Sequence, residues 1–179
     1  SKWGRGITPI WIASHSAMLK SKNHKVSLFD ATFYEEWSID ELSFNTSNEQ
    51  YEPSLYSQYI KLNKGDILFD LQKCIDEYQP DIIFWSAISS HIHGEGEYVN
   101  IQYGYELIDQ LKTNSLIITG GLQPTARIKE MFKVFPKVDY FIGGESEIVL
   151  CQIADAFPNI DEILKINGKK QNFLELKKT

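Results

Sequence analysis

Residues 80–86 read PDIIFWS, and residues 115–121, farther along the chain, read SLIITGG. Each stretch contains a short, nearly continuous run of branched and aromatic residues. Such a run, without alternating polar residues, is typical of a parallel strand that helices cover on both faces. Residues 25–30 (KVSLFD) and 138–142 (VDYFI) have a similar composition. The sequence therefore predicts four buried strands, at residues 25–30, 81–86, 115–119 and 138–142.

Apolar residues at helical spacing lie around and between these runs. A stripe of this kind is typical of a helix that packs one face on a core. Strand and helix therefore alternate, which predicts an α/β fold: a doubly wound, Rossmann/flavodoxin-like parallel sheet with helices on both faces. The five stripes are Ile7, Ile10, Trp11, Ser14 and Met18; Ile67, Leu68, Leu71, Ile75 and Tyr78; Ile101, Tyr105, Ile108 and Leu111; Ile128, Met131, Phe132 and Phe135; and Ile148, Leu150, Ile153, Ala154 and Phe157.

Two segments depart from this alternation. Residues 31–63 are polar with interspersed aromatic residues, and they follow a predicted strand, so we interpret them as an insertion. In residues 161–179, two extended runs flank Asn167-Gly168, a strong signal for a hairpin turn. We expect one α/β domain over residues 1–160, followed by a β-hairpin and linker over residues 161–179.

The composition of the chain excludes several classes of protein. The 179 residues are 42% hydrophobic and 23% charged, which suits one globular domain, and the net charge is −6. An acidic chain without a basic stripe is not expected to bind nucleic acid or an anionic membrane. Neither a membrane-spanning run nor a secretory signal pattern is found, so a cytoplasmic location is expected.

The two cysteines, Cys74 and Cys151, both lie in helical apolar patterns. We expect them to be buried structural thiols. An iron–sulfur cluster usually needs four thiolate ligands, so this pair is too few to hold one.

Polar and glycine-rich loops follow three of the predicted strands, at the edge where open α/β sheets place their ligands. These loops begin at Ser86, at Gly120-Gly121 and at Gly143-Gly144. Glycine pairs there let a ligand approach the backbone closely. The sequence has neither a GxxxxGK[ST] phosphate loop nor a GxGxxG motif after a strand. The edge therefore predicts a ligand site of another kind.

The segment HIHGEGE at residues 91–97 allows three interpretations. His91 and His93 would share one face of an extended chain, as metal ligands can. They could instead contact a bound cofactor, or belong to a solvated loop. No metal ligand is assigned on this basis.

The sequence contains no evident catalytic nucleophile paired with a base. Neither Ser86 nor Ser89 lies in a GxSxG elbow, and no catalytic residue is predicted. The acidic residues Glu145 and Glu147 are interpreted as solvated charge or as helix N-terminal charge. We therefore do not expect the chain to catalyse a reaction by itself.

The segments KVSLFDAT, QPDIIFWSAISS, LIITGGLQPTA and VDYFIGGESEIVL, followed by the hairpin, together resemble the cobalamin-binding-like N-terminal domain of radical S-adenosylmethionine enzymes. The resemblance covers roughly residues 6–176. Its most specific part is the last segment, which reads GGESE where the family pattern has GEGE.

The resemblance implies a module that holds cobalamin for methyl transfer or related radical chemistry, as in a methyltransferase. S-adenosylmethionine and a [4Fe-4S] cluster would be bound by a radical core downstream, and this core would be the domain's partner. Ser86-Ala-Ile88 resembles the family's S-x-L contact with the nucleotide tail, which runs between the sheet and the helices. The cofactor-binding residues so implied are Trp3, Ser86, Ile88, Ser89, His91, Gly120, Gly121, Leu122, Gly143, Gly144 and Glu145.

The chain departs from the family pattern in two places. The D-x-H-x-x-G motif that supplies the lower cobalt ligand is absent, and Ser1 and Trp3 would take its Asp and His positions. The apolar first strand that lies at the centre of the family's sheet is also missing, so we expect a trimmed chain or a rearranged pairing of strands.

Two other functions stay open. The chain could be a degenerate domain without cofactor that packs on the radical core or closes over substrate. A bulky side chain in the groove beneath Gly120-Gly121 would favour that reading. It could also be an unrelated module of the flavodoxin or receiver type, although Asp30 is the lone candidate for a receiver's acidic cluster.

Overall fold

The structure, a computed structural model, describes residues 10–31, 34–35, 61–86, 97–120, 133–142, 146–160 and 174–176. These residues contain four α-helices and four β-strands. In chain order they are α1 (Ile10–Ser21), α2 (Ile67–Tyr78), β1 (Ile82–Ser86), α3 (Glu97–Gln110), β2 (Leu116–Gly120), β3 (Tyr140–Ile142), α4 (Glu147–Ala156) and β4 (Leu174–Leu176).

The four strands form one sheet in the order β1-β2-β3-β4. The first three strands are parallel, and β4 runs antiparallel to β3. The register pairs Ser86 with Gly120, and Gly120 with Ile142. The carboxyl ends of all three parallel strands therefore lie side by side along one edge of the sheet.

Helices cover both faces of this sheet. Ile117 points to a core that it shares with Ile75 of α2 and Ile108 of α3. The next residue of β2, Ile118, is fully buried in a second core with Val149 of α4 and the partly buried Leu19 of α1. Side chains alternate between the faces of a strand, so β2 needs an apolar residue at both positions. This is the α/β arrangement that the continuous apolar runs predict.

Asp139 fixes the register between β2 and β3. Its carboxylate accepts a hydrogen bond from the backbone N–H of Ile117 at 2.8 Å. Its own N–H donates to the carbonyl of Ile117, also at 2.8 Å. One residue thus satisfies both backbone groups of Ile117, where an unpaired buried group would be costly.

Helix α2 has local signals at both ends. The Asp66 side chain accepts a hydrogen bond from the N–H of Phe69 at 2.9 Å, as an N-cap residue does. At the other end Gln79 adopts the left-handed conformation, with φ of 49°, and its N–H bonds the carbonyl of Ile75. The following Pro80 cannot continue a helix, so the chain turns directly into β1.

Three of the four predicted strands are confirmed, at β1, β2 and β3. The prediction of a strand at residues 25–30 is wrong, because these residues have no regular structure. Leu28 within this run is 59% exposed. A strand is stable only when a neighbour completes its hydrogen-bond ladder, and among the described residues β1 pairs on one side only, with β2. Branched residues by themselves do not supply the hydrogen bonds between strands that a sheet requires.

The predicted helices are confirmed where they are described, at α1, α2, α3 and α4. The stripe from Ile128 to Phe135 lies mostly outside the described residues, as do the hairpin turn at Asn167-Gly168 and residues 36–60 of the insertion. The insertion begins and ends close together, since the N–H of Glu35 donates to the carbonyl of Asn63 at 2.8 Å. Strand β4 falls within the predicted hairpin region and pairs with β3.

Helices α1 and α4 are joined at their C-terminal ends by a charged cluster. Lys22 and His24 both contact the carboxylate of Asp155, His24 at 2.9 Å. The hydrogen bond from Lys22, reinforced by His24, holds the pKa of Asp155 below its ordinary value.

Among the described residues no helix is long and apolar enough to cross a membrane.

Replacing Gly104 of α3 with alanine should destabilise the protein. An alanine Cβ would lie 2.5 Å from Nε1 of Trp85. Alanine normally favours a helix by about 1 kcal/mol over glycine. Here we expect the free energy of unfolding in urea to fall by about 1–3 kcal/mol through overpacking. The loss should be smaller in a Trp85→Phe background, and equal losses in both backgrounds would contradict the contact.

Replacing Asp155 with asparagine should lower the melting temperature at neutral pH. A depressed carboxyl pKa contributes stability above the unfolded value of 3.8, and that stability is lost as the pH falls through the folded-state pKa. The difference between wild type and Asp155→Asn should therefore vanish in acid, and should shrink with added salt, because the cluster is exposed. A difference independent of pH would exclude the ion cluster as its source.

Candidate functional site

The aligned carboxyl ends of β1, β2 and β3 bring two of the predicted site residues together. Ser86 and Gly120 are register partners at this edge, as the sequence predicts for neighbouring parallel strands. For Ser86 only the backbone position is described. The other predicted contacts lie outside the described residues: Trp3, Ile88, Ser89, His91, Gly121, Leu122, Gly143, Gly144 and Glu145.

A buried polar group lies beside Gly120 on the face of the sheet covered by α1 and α4. His15 of α1 and Ser146, the residue before α4, are each 7% exposed. The His15 Nε2 and the Ser146 Oγ are 2.7 Å apart, a strong hydrogen bond between residues 131 positions apart in the chain. On the other side of the imidazole, Nδ1 lies 4.0 Å from Oε1 of Glu147. Serine, imidazole and carboxylate thus follow one another in space.

Phe84 of β1 connects this group to the sheet. Its ring stacks on the His15 imidazole with centroids 5.2 Å apart and planes inclined by 23°. A Cβ added to Gly120 would lie 3.2 Å from the Phe84 ring and 3.2 Å from the Ser146 Cβ. A side chain at position 120 would make these two neighbours shift by a few tenths of an ångström, because they occupy the space above its backbone. We call His15, Phe84, Ser146 and Glu147 the edge cluster.

The Ser146 hydroxyl does not cap the helix that it precedes. A serine at this position usually accepts a hydrogen bond from an N–H in the first turn. Ser146 makes no such side-chain bond, and its Oγ faces His15 instead. Ser146 is not among the site residues predicted from the sequence, which include no pair of nucleophile and base. The available signal was Gly144-x-Ser146 between a strand and a helix, half of the GxSxG pattern.

A second polar side chain lies at this edge, on the other face of the sheet. Thr119, between Trp85 and Phe141 in the register, is 1% exposed. Its Oγ1 has no hydrogen-bond partner among the described residues. It points to the face covered by α2 and α3, opposite to the edge cluster, since it alternates with Ile118 and Gly120. An unsatisfied buried hydroxyl costs about 1–3 kcal/mol.

The two cysteines lie within helices, Cys74 in α2 and Cys151 in α4. Cys74 is exposed on α2, so the prediction that both cysteines are buried is wrong for Cys74 and confirmed for Cys151. Cys74 points outward because its neighbour Ile75 takes the core position of that helical turn. Burial raises the pKa of the Cys151 thiol, which disfavours the reactive thiolate. The described residues contain no group of three or more side chains that could hold a metal ion.

A surface depression of ≈ 570 Å³ lies at the opposite edge, where β2 and β3 begin. Asp109, Lys137 and Asp139 line it. The Lys137 ammonium already donates to the carbonyls of Asp109 and Leu111, and Asp139 is committed to Ile117. These groups hold the fold, so we place the candidate site at the carboxyl edge.

No protein-family model, no curated protein and no solved structure matches this chain.

Replacing Thr119 with valine should raise the free energy of unfolding by about 1 kcal/mol. Valine keeps the shape of the side chain and removes a hydroxyl that has no partner in the described part of the chain. Urea unfolding measures the change. Thr113→Val is the matched control, because the Thr113 hydroxyl accepts a hydrogen bond from the Ser115 N–H at 3.0 Å. Removing that hydroxyl should lower the free energy of unfolding by about 1 kcal/mol. A loss of stability in Thr119→Val would mean that its hydroxyl has a partner.

Proposed function

We propose that this chain is a cobalamin-type α/β domain whose nucleotide groove is filled by its own side chains, and that it serves as a structural or substrate-closing partner of a radical S-adenosylmethionine core. The observation that carries the proposal is the edge cluster packed directly on Gly120. The resemblance in sequence suggests the family, and the packing around Gly120 favours a member of that family that binds no cofactor.

The finer description of the fold belongs to this proposal. Three parallel strands occur in chain order across the sheet, with α2 and α3 against one face and α1 and α4 against the other. That arrangement supports a doubly wound, flavodoxin-like sheet. In such a domain the groove in question runs between the sheet and the helices, and in this chain the space above Gly120 lies on the face covered by α1 and α4.

The residues present do not fit a nucleotide tail in this groove. The tail would have to pass above Gly120, where even one added carbon would lie 3.2 Å from Phe84 and from Ser146. The Phe84 ring is held there by His15, and His15 is held by Ser146. Admitting the tail would displace Phe84 and Ser146, and with Ser146 its buried hydrogen bond to His15. We therefore assign no chemical step to cobalamin.

The cobalamin-binding module is the second candidate. The pairing of Ser86 with Gly120 at the carboxyl edge favours it, because these residues resemble the family's contacts with the tail. It requires the edge cluster to rearrange when cobalamin binds.

A visible-absorption titration with hydroxocobalamin distinguishes the two candidates. We expect no saturable spectral change with the wild-type chain and no cobalamin retained on gel filtration. The variant His15→Ala/Phe84→Leu should admit cobalamin better than wild type, because it removes the stacked ring pair from above Gly120. Phe135→Leu is the matched control, since Phe135 is buried on the other face.

Saturable binding to the folded wild-type chain, weakened by Gly120→Trp, would overturn the proposal in favour of the cofactor module. Far-UV circular dichroism of each variant establishes that it is folded before titration. A rise in the unfolding midpoint of the wild type with cobalamin concentration would have the same meaning, because a ligand that binds only the native state stabilises it.

A further inference from the structure

The edge cluster has the order of groups that activates a serine. The Ser146 Oγ lies within hydrogen-bonding distance of one imidazole nitrogen of His15, at 2.7 Å, and the Glu147 carboxylate faces the other nitrogen at 4.0 Å. A carboxylate on the Nδ1 side favours the tautomer with the proton on that nitrogen. In that tautomer Nε2 is the acceptor, and the serine hydroxyl donates to it.

The surroundings hold this geometry in place. His15 and Ser146 are both 7% exposed, and the His15 ring is stacked on Phe84. The serine lies at the start of α4, a ten-residue helix, without capping it. Backbone N–H groups in the first turn of a helix attract negative charge, as an oxyanion requires. A serine that caps its own helix would direct its lone pairs at those groups, whereas the Ser146 Oγ lies 2.7 Å from an imidazole nitrogen.

We propose that Ser146 is a nucleophile, activated by His15 as general base, for the hydrolysis of esters of short carboxylic acids. The acyl group must be short because Ser146 is only 7% exposed. This activity goes beyond the proposed function and does not depend on cobalamin or on a radical core.

The reaction balances with water as the only co-reactant. The Ser146 Oγ forms a bond to the carbonyl carbon while its proton passes to Nε2 of His15. The tetrahedral intermediate collapses, the ester C–O bond breaks, and His15 returns the proton to the departing alcohol. Water then loses a proton to His15, its oxygen bonds the acyl carbon, and Ser146 leaves with that proton. The products are the alcohol and the carboxylic acid.

Glu147 acts through His15 as a positioning residue. At 4.0 Å its carboxylate is beyond hydrogen-bonding distance, and it favours the positive charge that His15 carries in the transition state. Glu147→Gln should therefore lower kcat by less than tenfold and leave KM unchanged.

The test is acetyl transfer from p-nitrophenyl acetate to the full chain. We expect a burst of p-nitrophenolate and one acetyl group on the peptide that contains Ser146, located by mass spectrometry. Ser146→Ala should abolish both signals. His15→Gln should slow acetylation about 100-fold or more, the usual contribution of a general base. Ser115→Ala is the matched control and should leave the rate unchanged, because the Ser115 hydroxyl donates to the Pro80 carbonyl.

The proposal is overturned if folded wild type shows no acetylation at Ser146, or if His15→Gln reacts at the wild-type rate. Circular dichroism and urea unfolding establish folding for each variant. Ser146→Cys, which keeps a nucleophile of similar size, should retain acetylation, and its inertness in a folded protein would also count against the proposal. If acetylation of Ser146 is not found, the result of the cobalamin titration is unaffected. That titration measures binding in the groove and does not depend on the reactivity of the Ser146 hydroxyl.

Discussion

The structure depends on the burial of β2 on every side. Its backbone pairs with β1 and β3, and its side chains enter two separate cores, Ile117 on one face and Ile118 on the other. Apolar burial contributes about 1.5–3 kcal/mol for each large side chain, so two adjacent buried isoleucines stabilise both helix layers at once. The layers cannot separate without exposing this strand. The register then follows, with Asp139 satisfying both backbone groups of Ile117.

This constraint also creates the candidate site. Because β1, β2 and β3 are parallel and in register, their carboxyl ends open on the same edge, and the N-terminus of α4 starts there. Helix α1 packs beside α4 on one face, which brings His15 to Ser146. Gly120 allows the contact, because any side chain there would push Phe84 and Ser146 away. The same glycine that the sequence analysis interprets as room for a ligand therefore makes room for the protein's own side chains.

The segment at residues 25–30 shows that a strand-like composition does not by itself produce a strand. It has the branched and aromatic residues of a buried strand, and it has no regular structure in this chain. The β1 strand has the same kind of composition and does form, since β2 lies beside it. The difference lies in the neighbour, which supplies the hydrogen bonds and the second face. A short stretch of sequence shows only that its residues are compatible with a strand. It does not show whether a neighbouring strand is present.

The sequence by itself determined the elements whose signals are local. Continuous apolar runs marked β1, β2 and β3, helical stripes marked the four helices, and together they gave the α/β class. It also placed Ser86 and Gly120 at one edge, because parallel strands share their carboxyl ends. Tertiary structure alone decided that His15 meets Ser146 and that Phe84 fills the space above Gly120. These contacts join residues from different helices and strands. His15 and Ser146 are 131 positions apart, and no periodicity of the sequence links them. Packing brought them together, because two helices that share one sheet face must meet along it.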